Sequence, residues 1–481
     1  MKFLFILSLS VISFSISSDK LIFVLTHFRH GARAPQNYYD LDNYLDYIFE
    51  KWERPGELTG MGQRMHYLLG LRNRERYINK THFLKEKFDL HEILIYSSSF
   101  NRTLLSVQSQ LQGLYPQYLN LGEILNNEQI DRAKPQVNLS DDIINHMNEL
   151  GESALPNYMS LAPVRMINHC ERKIILYDIP QCTFRREEWK KKNYEKYDSL
   201  KNNVKLFNDN YSKYLKDLYK DKTYFDINFI DNFCDAFISG FTEGKNMTRI
   251  SQTGINKTEV LQYCYGFFNM SFRDWISGDE ESTLPTLEVT KLMREFIYYM
   301  KKRVDADIKG ENISLKFEDY SRPKMMIISG HDSTISMTEM FFAKIFDNND
   351  AIHFYKYPKF ATQIALEVVI DDNIDTKNKK YSDYIIKYYF NDEFILQRNM
   401  EDFIKQVEPN LWSDEKIDEF CGFEDKNNED NKNSYLYLMI VFSCLSLIFL
   451  IIIVFLVIKG IKTKERLSIN KEGLLKSSAA E

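Results

Sequence analysis

Residues 29–35 read Arg29-His30-Gly31-Ala32-Arg33-Ala34-Pro35 and follow an apolar run, Leu21-Ile22-Phe23-Val24-Leu25. One imidazole stands between two guanidinium groups. Arginine forks pair bidentately with phosphate oxygens, so two fixed cations beside a histidine suit a phosphate dianion. They also suit a histidine nucleophile, which attacks as the neutral base and gains from cations that draw charge off phosphorus. Five specified positions match by chance in roughly 10⁻⁴ of chains this long. A solvated basic cluster after a strand is the competing reading.

Two more segments place chemistry at the end of an apolar run. Met325-Met326-Ile327-Ile328 leads into Ser329-Gly330-His331-Asp332, and Ile93-Leu94-Ile95-Tyr96 leads into Ser97-Ser98-Ser99, then Phe100-Asn101-Arg102-Thr103. Together these segments can supply a complete phosphoryl-transfer site. His30 is the candidate nucleophile, forming a phosphohistidine. Arg29, Arg33 and Arg102 would clamp the non-bridging oxygens, His331 would donate to them, and Asp332 would protonate the leaving alkoxide. The scheme calls for no metal and no cofactor, because arginines supply the charge that a metal supplies elsewhere. A His-Asp pair alone is a weak signal; its place after an apolar run gives it weight. His66, His82, His91, His146, His169 and His353 lack metal-ligand spacing. His27 reads as structural.

The motif RHGxRxP and the His331-Asp332 pair resemble the histidine acid phosphatase family, the branch of the histidine phosphatase superfamily that holds acid phosphatases and phytases, and within it the membrane-anchored lysosomal and prostatic type. Ser99-Phe100-Asn101-Arg102-Thr103 resembles the family's S-x-x-R-T segment. Gly56-Glu57-Leu58-Thr59-Gly60-Met61-Gly62 resembles its G-x-L-T-x-x-G turn. The resemblance runs from about residue 20 to about 423 and is thinnest at 120–290. It implies a phosphoric monoester hydrolase with the roles just given and an acidic optimum, since Asp332 must be protonated when it donates. A phytase-like or lysophospholipid phosphatase is the alternative enzyme. A catalytically silent surface receptor or adhesion protein on the same fold is the alternative of another class, and a mutase is disfavoured by the secretory topology.

The elements that must position these residues follow from pattern. Runs apolar on both faces mark strands covered by helices on both sides, and such sheets bind ligands beyond the strands' carboxyl ends. The expected fold is therefore α/β: a mainly parallel central sheet flanked by helices, with a smaller, mainly helical cap at about 120–290. Residues 63–77 and 103–115 have amphipathic helical spacing. Residues 186–220 are rich in Lys, Glu, Asp and Tyr and read as solvated helix; Lys190-Lys191-Lys192 could serve a polyanion but more simply face water.

The chain ends set the topology. Residues 1–18 have Lys2, an apolar middle and small residues at 15–18, the form of a secretory signal peptide. Residues 436–458 are uncharged and rich in Ile, Leu, Val and Phe, long enough to cross a bilayer. Lys459, Lys462, Lys464 and Arg466 follow at once, which places the tail in the cytoplasm. The expected order is signal 1–18, histidine acid phosphatase domain 19–423, stalk 424–434, transmembrane helix 435–458 and tail 459–481. That makes a single-pass type I membrane protein, catalytic domain lumenal or extracellular, in the lysosome or at the cell surface. The tail carries net +3, leaving −9 for the rest of a chain of net −6; this modestly acidic body excludes nucleic acid as a partner. Phosphomonoester substrate and membrane are the expected partners, and a homodimer through a sheet edge is common in the family.

An oxidising compartment fits eight N-x-S/T sequons, at Asn79, Asn101, Asn138, Asn210, Asn246, Asn256, Asn269 and Asn312, and five cysteines outside the span. Asn101 abuts a candidate site residue and is the poorest acceptor. Spacing leaves fifteen ways to draw two disulfides from Cys170, Cys182, Cys234, Cys264 and Cys421. The resemblance implies Cys182–Cys421. Cys234 also resembles a bridging position, but its usual partner segment, here Ala361-Thr362-Gln363-Ile364, has no cysteine, so Cys234–Cys264 is the best remaining pair and Cys170 is left free.

Overall fold

The computed structural model describes residues 19–36, 54–167, 180–216, 223–245, 252–277, 283–311, 323–346, 356–371, 373–374 and 379–421. The signal peptide, stalk, span, tail and Cys170 lie outside these residues, as do the Cys182 side chain and the Asn246 and Asn312 sequons. Among the described residues no helix is long and apolar enough to cross a membrane. By internal contacts the chain divides into Met1–Ile417 and Asp418–Glu481, and of the second unit only residues 418–421 are described.

Among the described residues seven strands form one sheet: β1 (Asp19–Arg29), β2 (Ile93–Ser98), β3 (Arg165–Ile167), β4 (Met325–Gly330), β5 (Gln363–Asp371), β6 (Tyr384–Phe390) and β7 (Glu393–Asn399). Their order is β3-β2-β4-β1-β5-β6-β7. The pairs β3–β2, β2–β4 and β4–β1 are parallel; β1–β5, β5–β6 and β6–β7 are antiparallel. The sheet is thus mixed, which corrects the expectation of a mainly parallel one. The parallel half holds all the strands whose ends carry chemistry. The other half is a meander closed by a two-residue hairpin, Asn391-Asp392, with both residues at positive φ (47° and 69°), the geometry such tight hairpins demand. β5 is buried along nearly its whole length yet runs antiparallel. An unbroken apolar run reports cover on both faces and says nothing of direction.

Both faces are covered, as alternation along β1 illustrates. Val24 and Phe28 enter a core with Ile93, Ile95, Val107, Leu111, Met325 and Ile327, while Phe23 meets Phe296 (ring centroids 5.7 Å). The first core lies under α1 (Gly60–Arg74) and α2 (Asn101–Leu114), which pack along each other. Between β3 and β4 come α3 (Pro180–Lys196), α4 (Asp198–Leu215), α5 (Ile227–Thr242), α6 (Lys257–Met270), a π-helical turn at Ser271–Ser277, and α7 (Thr283–Ile308), which carries Phe296. α8 (Asp332–Ile345) follows β4 and packs on α7 and β1. In the interval read as a cap, α4, α5 and α6 share a core of Phe207, Phe225, Phe229, Phe233, Tyr263 and Phe267. A Cys234–Cys264 disulfide joins α5 to α6. The same interval also contributes β3 to the main sheet.

Candidate active site

Register explains why residues far apart in sequence meet. Across the parallel pairs, Arg29 stands opposite Gly330 and Ser97 opposite Ser329, so β1, β2 and β4 end at one level. The His30 N–H then donates to the Gly330 carbonyl at 3.0 Å. The chain from Gly31 to Pro35 turns back along 55–59: Ala34 N donates to Glu57 O, and Thr59 N to Ala32 O. Thr59 caps α1 through the Gly62 N–H. This brings two backbones into contact, since a Cβ on Gly31 would lie 2.4 Å from Gly62 O and one on Gly62 would lie 2.2 Å from Ala32 O. The glycines of the two motifs therefore serve each other. Gly62→Ala is expected to cost ~1–3 kcal/mol of stability and to displace the His30 loop. Thermal unfolding should show a lowered melting temperature, whereas Gly60→Ala, whose added methyl would meet no atom within 4 Å, should not change it.

His30 is buried (1 % exposed). Its Nδ1 lies 2.9 Å from the Gly31 carbonyl, which can only accept, so the proton sits on Nδ1 and the lone pair on Nε2. Nε2 is buried and unpartnered. Burial above all, then the charges of Arg29, Arg33, Arg102 and His331, hold the ring far below an ordinary histidine pKa, so it is neutral. The Nε atoms of Arg29, Arg33 and Arg102 are likewise buried without partners. Three unsatisfied guanidinium N–H donors in the same site as one imidazole lone pair suit a phosphoryl group, whose oxygens need donors and whose phosphorus needs a nucleophile.

The guanidiniums are held differently. Arg29 donates to Pro358 O at 2.7 Å, forms an ion pair with Asp332 at 2.8 Å, and lies over the rings of Phe360 and Tyr357 at 4.3 and 4.9 Å. Arg33 makes a two-pronged ion pair with Asp235 on α5, at 2.8 and 3.2 Å. Arg102, the second residue of α2, stacks over Phe100 at 4.3 Å and approaches His331 Nδ1 at 3.5 Å. Burial and repulsion from Arg33 lower its pKa to about 10, still charged at any working pH. The other nitrogen of His331, Nε2, lies 2.9 Å from Ser98 Oγ; with Arg102 donating to Nδ1, Nε2 carries the proton and gives it to that hydroxyl.

Asp332 opens α8, where the Ser333 N–H donates to its Oδ1 at 2.8 Å and the Tyr357 hydroxyl to its Oδ2 at 2.9 Å. Burial would raise this carboxyl, but Arg29, Arg33 and the Tyr357 hydroxyl outweigh it and bring it down to about 2. The expectation of a protonated Asp332 at mildly acidic pH therefore does not hold for the site as it stands.

A cleft of about 540 Å³ opens onto these groups. Arg33, Arg102, His331 and Asp332 line it, and beyond them its wall is aromatic: Phe100, Phe268, Phe272, Trp275 and Tyr357. Asp231 and Asp235 face it from α5, and Lys190 from α3. Lys190 lies over the Trp275 ring at 5.1 Å, while Lys191 and Lys192 are exposed.

All six residues singled out from sequence thus gather at one place. The family model described as histidine phosphatase superfamily, branch 2, matches residues 20–391. The chain belongs to this superfamily. Among curated relatives, lysosomal acid phosphatase of Xenopus laevis is 37% identical over 99 residues, 21% of this chain and 22% of that one. Human testicular acid phosphatase is 40% identical over 98 residues, 20% and 22%. The matched segments thus span about a fifth of these relatives. Phytase of Hafnia alvei, in complex with myo-inositol hexakis sulphate, superposes with a TM-score of 0.52 at 12% identity over 84% of this chain and 98% of that one, a likeness of fold. Tyr357 and Asp235, which touch the arginines of this superfamily member directly, are the site residues that sequence reasoning missed.

Proposed function

We propose that this chain is an acid phosphatase that hydrolyses phosphate monoesters through a phosphohistidine. The buried, unpartnered Nε2 of a neutral His30 among three arginines carries the reading. In the first half-reaction Nε2 attacks phosphorus, the bond from phosphorus to the ester oxygen breaks, and a proton held by Asp332 goes to the departing oxygen. The Nδ1–H to Gly31 contact favours the positive ring that forms. Water then attacks phosphorus, Asp332 takes its proton, the phosphorus–nitrogen bond breaks, and inorganic phosphate leaves His30 neutral. Arg29, Arg33 and Arg102 stabilise the charge spread over the equatorial oxygens, and His331, whose Nε2–H goes to Ser98, holds Arg102 rather than donating to those oxygens as the sequence reading expected.

The cleft favours a substrate with one phosphate and an apolar or aromatic leaving group over a phytase substrate. A polyphosphorylated inositol needs cations around the clamp, and among the described lining residues the cleft beyond the clamp offers Lys190 against Asp231. At pH 5, kcat/KM of the purified chain for an aryl monophosphate should exceed that for myo-inositol hexakisphosphate by about 100-fold or more. Comparable values would favour the phytase reading, and hydrolysis of neither would remove both. A silent receptor would have no need of the full set of six groups. The uncharged run at 436–458 supports a membrane-anchored form with this site in a lysosomal or extracellular space, glycosylated and bridged by Cys182–Cys421 as well as Cys234–Cys264.

A further inference from the structure

α5 is an apolar helix that brings two carboxylates one turn apart, Asp231 and Asp235, to the cleft. Asp235 is the one that engages the clamp. Its Oδ1 accepts from Arg33 at 2.8 Å, and its Oδ2 accepts from Arg33 at 3.2 Å and from the Gln36 N–H at 3.0 Å. The Nη1/Nη2 fork of Arg33 is thus already taken by an anion of matching geometry, which leaves only its Nε edge to a phosphate. It lines the cleft with Arg33 and Arg102, and its charge acts on Arg102 and Tyr357 as well as Arg33. With Asp332 on Arg29 and Asp235 on Arg33, two of three guanidiniums are compensated, and the cluster keeps one net positive charge. Arg33 Nη1 also donates to the Ala34 carbonyl at 2.9 Å, while its Nε remains buried and unpartnered.

We propose that Asp235 limits the affinity of this site: it competes with phosphoryl oxygens for Arg33 and so keeps the site from retaining inorganic phosphate, the product of the proposed reaction. A clamp of three uncompensated arginines would bind a phosphate dianion strongly and release it slowly. The opposing explanation is that Asp235 merely holds Arg33 in position. The two differ in sign. If Asp235 only positions Arg33, its removal weakens phosphate binding; if it competes, its removal tightens it.

The test is calorimetric titration of the full-length chain with inorganic phosphate, together with phosphate inhibition of aryl phosphate hydrolysis. Asp235→Asn, Asp235→Ala and Asp235→Ser are each expected to bind phosphate about tenfold more tightly or better. Their kcat should fall relative to kcat/KM as phosphate release slows. Asp235→Glu, which keeps the charge, should stay much nearer the parent. Any of the three neutral variants that is folded by circular dichroism decides the matter; unchanged or weakened phosphate binding overturns the proposal. The inference rests on the phosphatase reading only for naming phosphate as product. Binding is measured without turnover, so a chain that binds phosphate but hydrolyses no ester overturns that reading alone. An active parent whose neutral variants fail to tighten overturns the competition alone.

Discussion

Replacing His30 with alanine is expected to lower phosphomonoester turnover on the order of 10⁴-fold or more while leaving phosphate binding in place. The split follows from how the site is built. The oxygens of the ester would be held by Arg29, Arg33 and Arg102, and none of these side chains depends on the imidazole for its contacts: Arg29 rests on Pro358 and Asp332, Arg33 on Asp235 and Ala34, Arg102 on Phe100 and His331. What the alanine removes is the unpartnered lone pair on Nε2. Its orientation is fixed by the Nδ1 contact to Gly31, and its neutrality by burial first and the surrounding cations second. A water placed by the same arginines would attack far more slowly, because the covalent route divides one hard displacement into two. The check is rapid acid–base-resolved trapping of the parent enzyme with a labelled ester. A phosphoenzyme stable in base and labile in acid, mapped to His30 and absent in the variant, is the expected result. Turnover by His30→Ala near the parent rate, or label on another residue, would show that His30 only binds.

The parallel half of the fold and the six candidate groups were legible because each strand ends where its chemistry begins. Apolar runs at 21–25, 93–96 and 325–328 announce buried strands, and arginine, histidine and aspartate directly after them have no packing reason to be there. The charged residues at the ends of β5 and β7, Asp371 and Arg398, belong to no histidine-bearing motif, and β6 alternates buried and half-buried positions in the ordinary way, so nothing in their pattern gives their direction. Asp235 left a faint trace: two acids at i and i+4 in the otherwise uncharged stretch 227–242 put charge on one stripe of a helix that has little reason to carry it. Tyr357 left none. It comes from an ordinary Tyr-Lys-Tyr-Pro stretch, and only its place, stacked on Phe268 with its hydroxyl on Asp332, makes it part of the site. The charge state of Asp332 was illegible for a related reason: sequence names the carboxylate but not the 2.8 Å separating it from Arg29.

Asp332→Asn is expected to slow alkyl phosphates by about 10³-fold and nitrophenyl phosphate far less, because a nitrophenolate leaves without being protonated. The source of the proton sets the pH dependence. With a pKa of about 2, Asp332 is roughly 0.1 % protonated at pH 5 when the site is empty, too little to serve unaided. A phosphomonoester monoanion, whose second pKa is about 6, brings a proton with it. Its oxygens would draw Arg29 away from Asp332 and set negative charge beside the carboxylate, and both changes raise the Asp332 pKa. The proton can then pass from the ester to Asp332 and on to the leaving oxygen. The sign follows: kcat/KM holds below about pH 6 and is lost as pH rises through the second pKa of the substrate. The upper limb should therefore move with the ester, falling by about one unit for an ester whose second pKa is one unit lower. In Asp332→Asn the limb for nitrophenyl phosphate should flatten, since the neutral amide leaves Arg29 free for the dianion and no proton is required. A limb fixed at one pH for both esters, or equal slowing of alkyl and nitrophenyl phosphates, would remove Asp332 from the proton path and leave it the anchor of Arg29.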